Sequence, residues 1–133
     1  MVKKRRTLEA SEWQIAHFRA KALQYRKAMK LSYDSRLWDA AVSNAVHAVI
    51  LMADALTVRE AGQYYADKDH GQAPEYLKEV IGSNASAAKD QMSQVLALKA
   101  LVEYEARGCT QKHASGALKR VERFFSWAEK QFP

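Results

Sequence analysis

Apolar residues recur at helical spacing along almost the whole chain, and the strongest run is Trp38 to Val58. Trp38, Ala41, Val42, Ala45, Ala48, Val49, Met52, Ala55 and Leu56 form a broad stripe at about 100° per residue, with Val46, Ile50 and Ala53 on its flank. A helix apolar nearly all round belongs in the middle of a bundle. The pattern predicts a first helix over 11–30, with Ile15, Phe18, Ala22, Tyr25 and Met29 on one face, and a second helix capped by Asp34 or Ser35, running to Glu60 and ended by Gly62. A polar loop over 63–72 follows, then a short helix over 73–81 with Pro74 in its first turn. The fourth helix is expected over 85–107, stopped by Gly108, and the last begins at Thr110 and carries Ala114, Ala117, Leu118, Val121, Phe124, Phe125 and Ala128 at helical spacing. This is an all-α chain of four long helices and one short one, folded as an up-and-down bundle. No internal repeat recurs at a fixed period of about 20–50 residues, so a solenoid array is not expected.

One narrow strip of the central helix is polar. It carries Asn44, His47 and Asp54, and an unpaired buried polar group costs about 1–3 kcal/mol, so partners are required. Lys99 falls among Val95, Leu96 and Val102 on the fourth helix, four residues before Glu103, and needs a carboxylate. Asn44, His47, Asp54, Lys99 and Glu103 are therefore expected to form one buried polar cluster, with Asp54 facing Lys99. A buried ion pair that fixes helix packing is favoured over a catalytic cluster, and truncating Asp54 would then cost about 3–5 kcal/mol by stranding the lysine.

With 133 residues the chain reads as one domain over 11–133. Lys3, Lys4, Arg5 and Arg6 place four positive charges of a net +6 before the first helix, so residues 1–10 read as a basic, disordered tail. Cys109 is the only cysteine, which excludes an internal disulfide and fits a reducing compartment. Without a charge-free apolar run of about 18 residues or a signal-like apolar segment after the basic start, the expectation is a cytoplasmic protein with no membrane role.

The loop offers a second candidate site at Asp69 and His70. His17, His47, His70 and His113 lie on four different elements without the short spacing of a metal motif, so no metal and no cofactor is expected. Gly-rich phosphate loops, nucleophile elbows and His-Glu-x-x-His motifs are absent from the sequence.

The Asn44-Ala45-Val46-His47-Ala48 centre of the second helix, the Asp69-His70-Gly71 loop, the Leu98-Lys99-Ala100-Leu101-Val102-Glu103-Tyr104 segment and the alanine-rich last helix ending in Arg123-Phe124-Phe125-Ser126-Trp127 together resemble the HEPN superfamily of small bacterial helical domains. The resemblance runs from about Tyr25 to the carboxyl terminus and implies the bundle fold. It also implies a homodimer, to which the wide apolar perimeter of the second helix would contribute. HEPN enzymes are metal-independent ribonucleases with an arginine followed after four to six residues by a histidine, and Arg107 and His113 stand at that spacing. The histidine would take the proton of a ribose 2′-hydroxyl and the guanidinium would stabilise phosphate charge.

With nine arginines and four histidines in the chain, however, so permissive a spacing arises about once by chance. Gly108 also directly follows Arg107, and a helix break separates the pair. The chain looks more like relatives without the motif, which resemble partners of nucleotidyltransferase-type antitoxins or accessory modules. A binding or accessory module, one component of a toxin–antitoxin or stress-response pair, is the expectation. The alternative is an endoribonuclease acting on RNA through Arg107 and His113.

Overall fold

The elements follow in the order β1 (Thr7–Glu9), α1 (Glu12–Asp34), α2 (Trp38–Ala61), β2 (Gln63–Tyr65), α3 (Ala73–Ile81), α4 (Ser86–Leu96), α5 (Lys99–Tyr104) and α6 (Gln111–Glu129) in the computed structural model, which describes residues 6–67 and 70–132. The architecture is the all-α bundle that the apolar periodicity predicts. At its centre lies α2, covered by α1 along its length and by α6, α3, α4 and α5 on its remaining sides. Ala45, Val49, Met52 and Leu56 have essentially no exposed surface. By length and composition α2 could also cross a membrane, but 72% of its apolar window is buried against the other elements, as befits a core helix. Opposite it α6 contributes Phe124 and Phe125, both buried, with ring centroids 6.4 Å apart in an edge-on arrangement.

Helix ends follow local chemistry. Gly62 closes α2 at φ 70°, the left-handed conformation that a glycine accepts without a Cβ penalty, and its N–H bonds the Val58 carbonyl at 2.8 Å. Thr110 caps α6 as its hydroxyl accepts the His113 N–H at 3.3 Å. The start of α2 differs from expectation. Asp34 is the last residue of α1 and Ser35 its carboxyl-terminal cap, so neither begins the next helix. The Arg36 N–H bonds the Tyr33 carbonyl at 3.0 Å and the Leu37 N–H the Ser32 carbonyl at 2.9 Å, the paired bonds of a Schellman turn, with Arg36 at φ 61°. This turn joins two long helices with only three residues between them, and Leu37 becomes the residue before α2.

Two segments expected to lack regular structure are strands. Thr7 to Glu9, assigned to the basic tail, pair antiparallel with Gln63 to Tyr65, the first part of the expected loop, in the register Thr7 to Tyr65, Leu8 to Tyr64 and Glu9 to Gln63. Each strand has three residues, too short to leave a period-two signature. Tertiary packing holds the ribbon in place, with Tyr64 against Phe18 at a ring distance of 5.0 Å and Tyr65 buried.

The helix expected over 85–107 is broken. The Leu98 N–H bonds the Val95 carbonyl three residues back at 3.1 Å, tightening the last turn of α4, and α5 restarts at Lys99 and ends at Tyr104, short of Gly108. The break resets the helical phase and undoes the expected polar cluster. Lys99 Nζ lies 4.0 Å from Glu103 on its own helix, and no hydrogen bond or ion pair reaches the Asp54 carboxylate among the described residues. Asn44 donates from Nδ2 to Ser32 Oγ at 3.3 Å, while His47 is exposed with its ring 5.0 Å from that of Tyr25. Asn44 and His47 thus make separate local contacts, Lys99 and Glu103 face only each other, and among the described residues nothing joins Asp54 to any of them.

Among the described residues no cation pairs with the buried Asp54 carboxyl, and burial pushes its pKa well above the ordinary aspartate value. The consequence for stability reverses the expectation of a stranded lysine. When the native pKa is raised, the stabilisation from the protonated carboxyl is complete below the unfolded value of about 4 and is lost as pH rises through the native value. Asp54→Asn should therefore melt at a higher temperature than the parent at pH 7, with the difference closing below about pH 4. A lower melting temperature at pH 7 would reveal a cation pairing with the carboxylate. In the core, Phe124→Ala should lower the unfolding free energy by about 3–5 kcal/mol in urea titrations, since Phe124 has no exposed surface.

Candidate functional site: a basic groove along the last helix

The two long faces of α6 carry opposite charge arrangements. On the side toward α1, Glu122 takes Arg26 Nε at 2.5 Å and Lys30 Nζ at 2.7 Å, and Glu129 pairs with Arg19. Burial pushes the Glu122 carboxyl up, but the hydrogen bonds from Arg26 and Lys30 outweigh it and hold the group below the ordinary glutamate range. The other side carries Lys112, Lys119, Arg120 and Arg123. Spacings of seven, eight and eleven residues keep these side chains on one face of a helix.

This basic face forms one wall of an open groove of about 770 Å³, whose other wall comes from Gln94, Ala97 and Leu98 at the carboxyl end of α4. Gly116 and Ala117 form the α6 part of its floor, and a Cβ added at Gly116 would meet no atom within 4 Å. Among the described residues no carboxylate lines the groove. Among the described residues none of the four cations forms an ion pair, whereas Arg19, Arg26 and Lys30 on α1 all do. The groove is therefore an uncompensated positive surface with a small-residue floor. In the sequence the basic residues of α6 are masked by its stronger apolar stripe. Their spacing, together with a glycine inside a helix, was the available signal.

His113 and Arg107 are placed differently. His113 borders the groove, and its Nδ1 accepts the Thr110 N–H at 3.0 Å, completing a reciprocal cap. A backbone donor at Nδ1 requires the lone pair there, so in the neutral ring the proton sits on Nε2. Arg107 lies in the irregular segment before α6, 72% exposed, with Nε 3.4 Å from Glu105, and it does not line the groove. That segment is tied to α2 by the Cys109 N–H, which donates to Asp39 Oδ1 at 2.6 Å. Burial, with the Asp39 carboxylate beside it, pushes the Cys109 thiol up to about 11, which removes it as a nucleophile near neutral pH.

Of the loop candidates, Asp69 lies outside the described residues. His70 stands in a 3₁₀ turn ahead of α3 and borders a second hollow of about 580 Å³ with Ser93, Leu96, Lys99 and Tyr104. The structure thus brings His70 near Lys99, a pairing of two residues assigned to different sites in the sequence. Among the described residues no three His, Cys, Asp or Glu side chains are grouped so that they could hold a metal ion.

Comparison with known proteins places the chain in a family. No significant match was found to a curated protein or to a solved structure. The family model described as the HEPN domain matches residues 15–131, from the first turn of α1 to just past the end of α6, and the chain therefore belongs to the HEPN family.

Proposed function

We propose that this HEPN chain is a binding module, the non-nucleolytic component of a two-protein pair of the toxin–antitoxin or stress-response kind. The observation that carries this reading is the state of His113. A general base needs a free lone pair, and the only lone pair of the neutral imidazole is engaged at Nδ1 by the Thr110 N–H. Arg107 supports the same reading, because its guanidinium is paired with Glu105 on an exposed segment away from the groove that His113 borders. The basic face of α6 is the surface through which such a module would bind. A nucleotidyltransferase-type protein is the partner class that family membership suggests, and its gene beside this one would support the pairing.

The same reading makes the module a two-fold dimer in a cytoplasmic setting. The apolar perimeter of α2, on which a dimer was expected, is covered within one chain. An alternative surface is available on α1, where Trp13, Ala16, Ala20 and Leu23 are exposed at spacings of three and four residues. Light scattering at tens of micromolar should give twice the monomer mass, with Leu23→Glu shifting the protein to monomer, and a monomeric parent would overturn the dimer.

Cleavage of RNA is the decisive measurement for the module itself. The parent, His113→Ala and Arg107→Lys, each with and without EDTA, should give the same background. A parent activity that resists chelation and falls about 10²–10⁴-fold in His113→Ala would establish the ribonuclease instead.

A further inference from the structure

We propose that the groove between α6 and the carboxyl end of α4 is a docking site for an acidic, amphipathic helix of a partner protein. The inference rests on the reading of the chain as a binding module and names the chemistry of what it binds. Charge complementarity carries the argument. Lys112, Lys119, Arg120 and Arg123 line one wall, none is paired with a described carboxylate, and no acid interrupts the groove. The acids of α6 that could have neutralised them, Glu122 and Glu129, are held by α1 on the other side.

The length and floor select a helix. From Lys112 to Arg123 the rise is about 16 Å, or three turns, so a ligand of about eleven helical residues spans all four cations. Its acids must recur every three or four residues to meet them. Between the cations the floor is Ala97, Leu98, Gly116 and Ala117, which offers apolar contact and, at Gly116, room for a second backbone to approach. Apolar side chains on the inner face of the partner helix would gain about 25 cal/mol for each Å² they remove from water there.

The same floor argues against a polynucleotide. Single-stranded nucleic acid is held by successive aromatic rings that stack on bases as well as by cations, and the lining offers no Phe, Tyr or Trp, only the single imidazole of His113 at one end. A peptide can use both the cations and the aliphatic floor, whereas a nucleic acid would gain little from that floor.

The test is fluorescence anisotropy of the full chain at 0.15 M salt with three fluorescein-labelled probes. The first is a 15-residue peptide with four glutamates and three leucines at helical spacing, the second a scramble of that peptide with the same charge, and the third a 15-nucleotide adenosine RNA. The ordered peptide should bind with a dissociation constant on the order of 10 µM, at least about tenfold tighter than the scramble and the RNA. Lys119→Glu with Arg123→Glu should weaken it by more than about tenfold. Gly116→Leu, which fills the floor without changing charge and favours the helix, should weaken it by about tenfold while leaving the melting temperature of the chain unreduced. Equal binding of ordered and scrambled peptides, tighter binding of the RNA, or no loss in Gly116→Leu would overturn the proposal. These variants leave Arg107 and His113 unaltered, so failure here is distinguishable from the appearance of RNA cleavage, which would instead overturn the binding-module reading.

Discussion

Burial of α2 is the constraint to which the other elements respond, because a helix of 24 residues with so little polar surface cannot stay in water and must be covered on every side. A turn of three residues returns α1 along it, α6 lays Phe124 and Phe125 against it, and the shorter α3, α4 and α5 close what remains. Even the small ribbon of β1 and β2 follows from this requirement. Its Tyr64 and Tyr65 supply aromatic cover at the end of the hairpin, and the strand before α1 reaches back to satisfy their backbone groups.

The covering arrangement also decides where charge is left over. The α1–α6 contact is lined with complementary pairs, so Glu122 and Glu129 are neutralised by Arg26, Lys30 and Arg19. Two guanidinium groups, those of Arg19 and Arg59, further lie over the Phe132 ring at 4.4 and 5.4 Å. Among the described residues the opposite face of α6 receives no such partner, and its cations remain available. A positive groove is thus the counterpart of a balanced interface on the same helix. The net charge of +6 is shared between that groove and the amino-terminal basic run.

Polar groups near the core are satisfied one at a time rather than in a network. Asn44 reaches Ser32 across the α1–α2 contact and the Thr57 hydroxyl bonds the Asp54 carbonyl at 3.3 Å, while burial of the Asp54 carboxyl raises its pKa. The site that matters for the ribonuclease question is likewise governed by backbone demands. The first turn of α6 has free N–H groups, and Thr110 with His113 satisfies them by a reciprocal cap. His113 Nδ1 is engaged in capping the start of α6, and the proposed binding-module role rests on that engagement.

Helix periodicity, the Gly62 and Thr110 ends of α2 and α6, the all-α bundle and the HEPN resemblance were all legible in the sequence, because each depends on spacing along one element. What the sequence could not carry was the relation between elements. A tightened turn at Leu98 changes the phase of every residue after it, so Lys99, assigned to a core face by continuing the period of α4, ends on the hollow that His70 also borders rather than against Asp54. Strands of three residues leave no period to detect, and Thr7 to Glu9 acquire structure only because Gln63 to Tyr65 are brought alongside. The basic groove belongs to the same class. The spacing of Lys112, Lys119, Arg120 and Arg123 can be read from one helix, but that these cations stay unpaired while the neighbouring acids do not is decided by which face of α6 meets α1, a choice made by packing against α2.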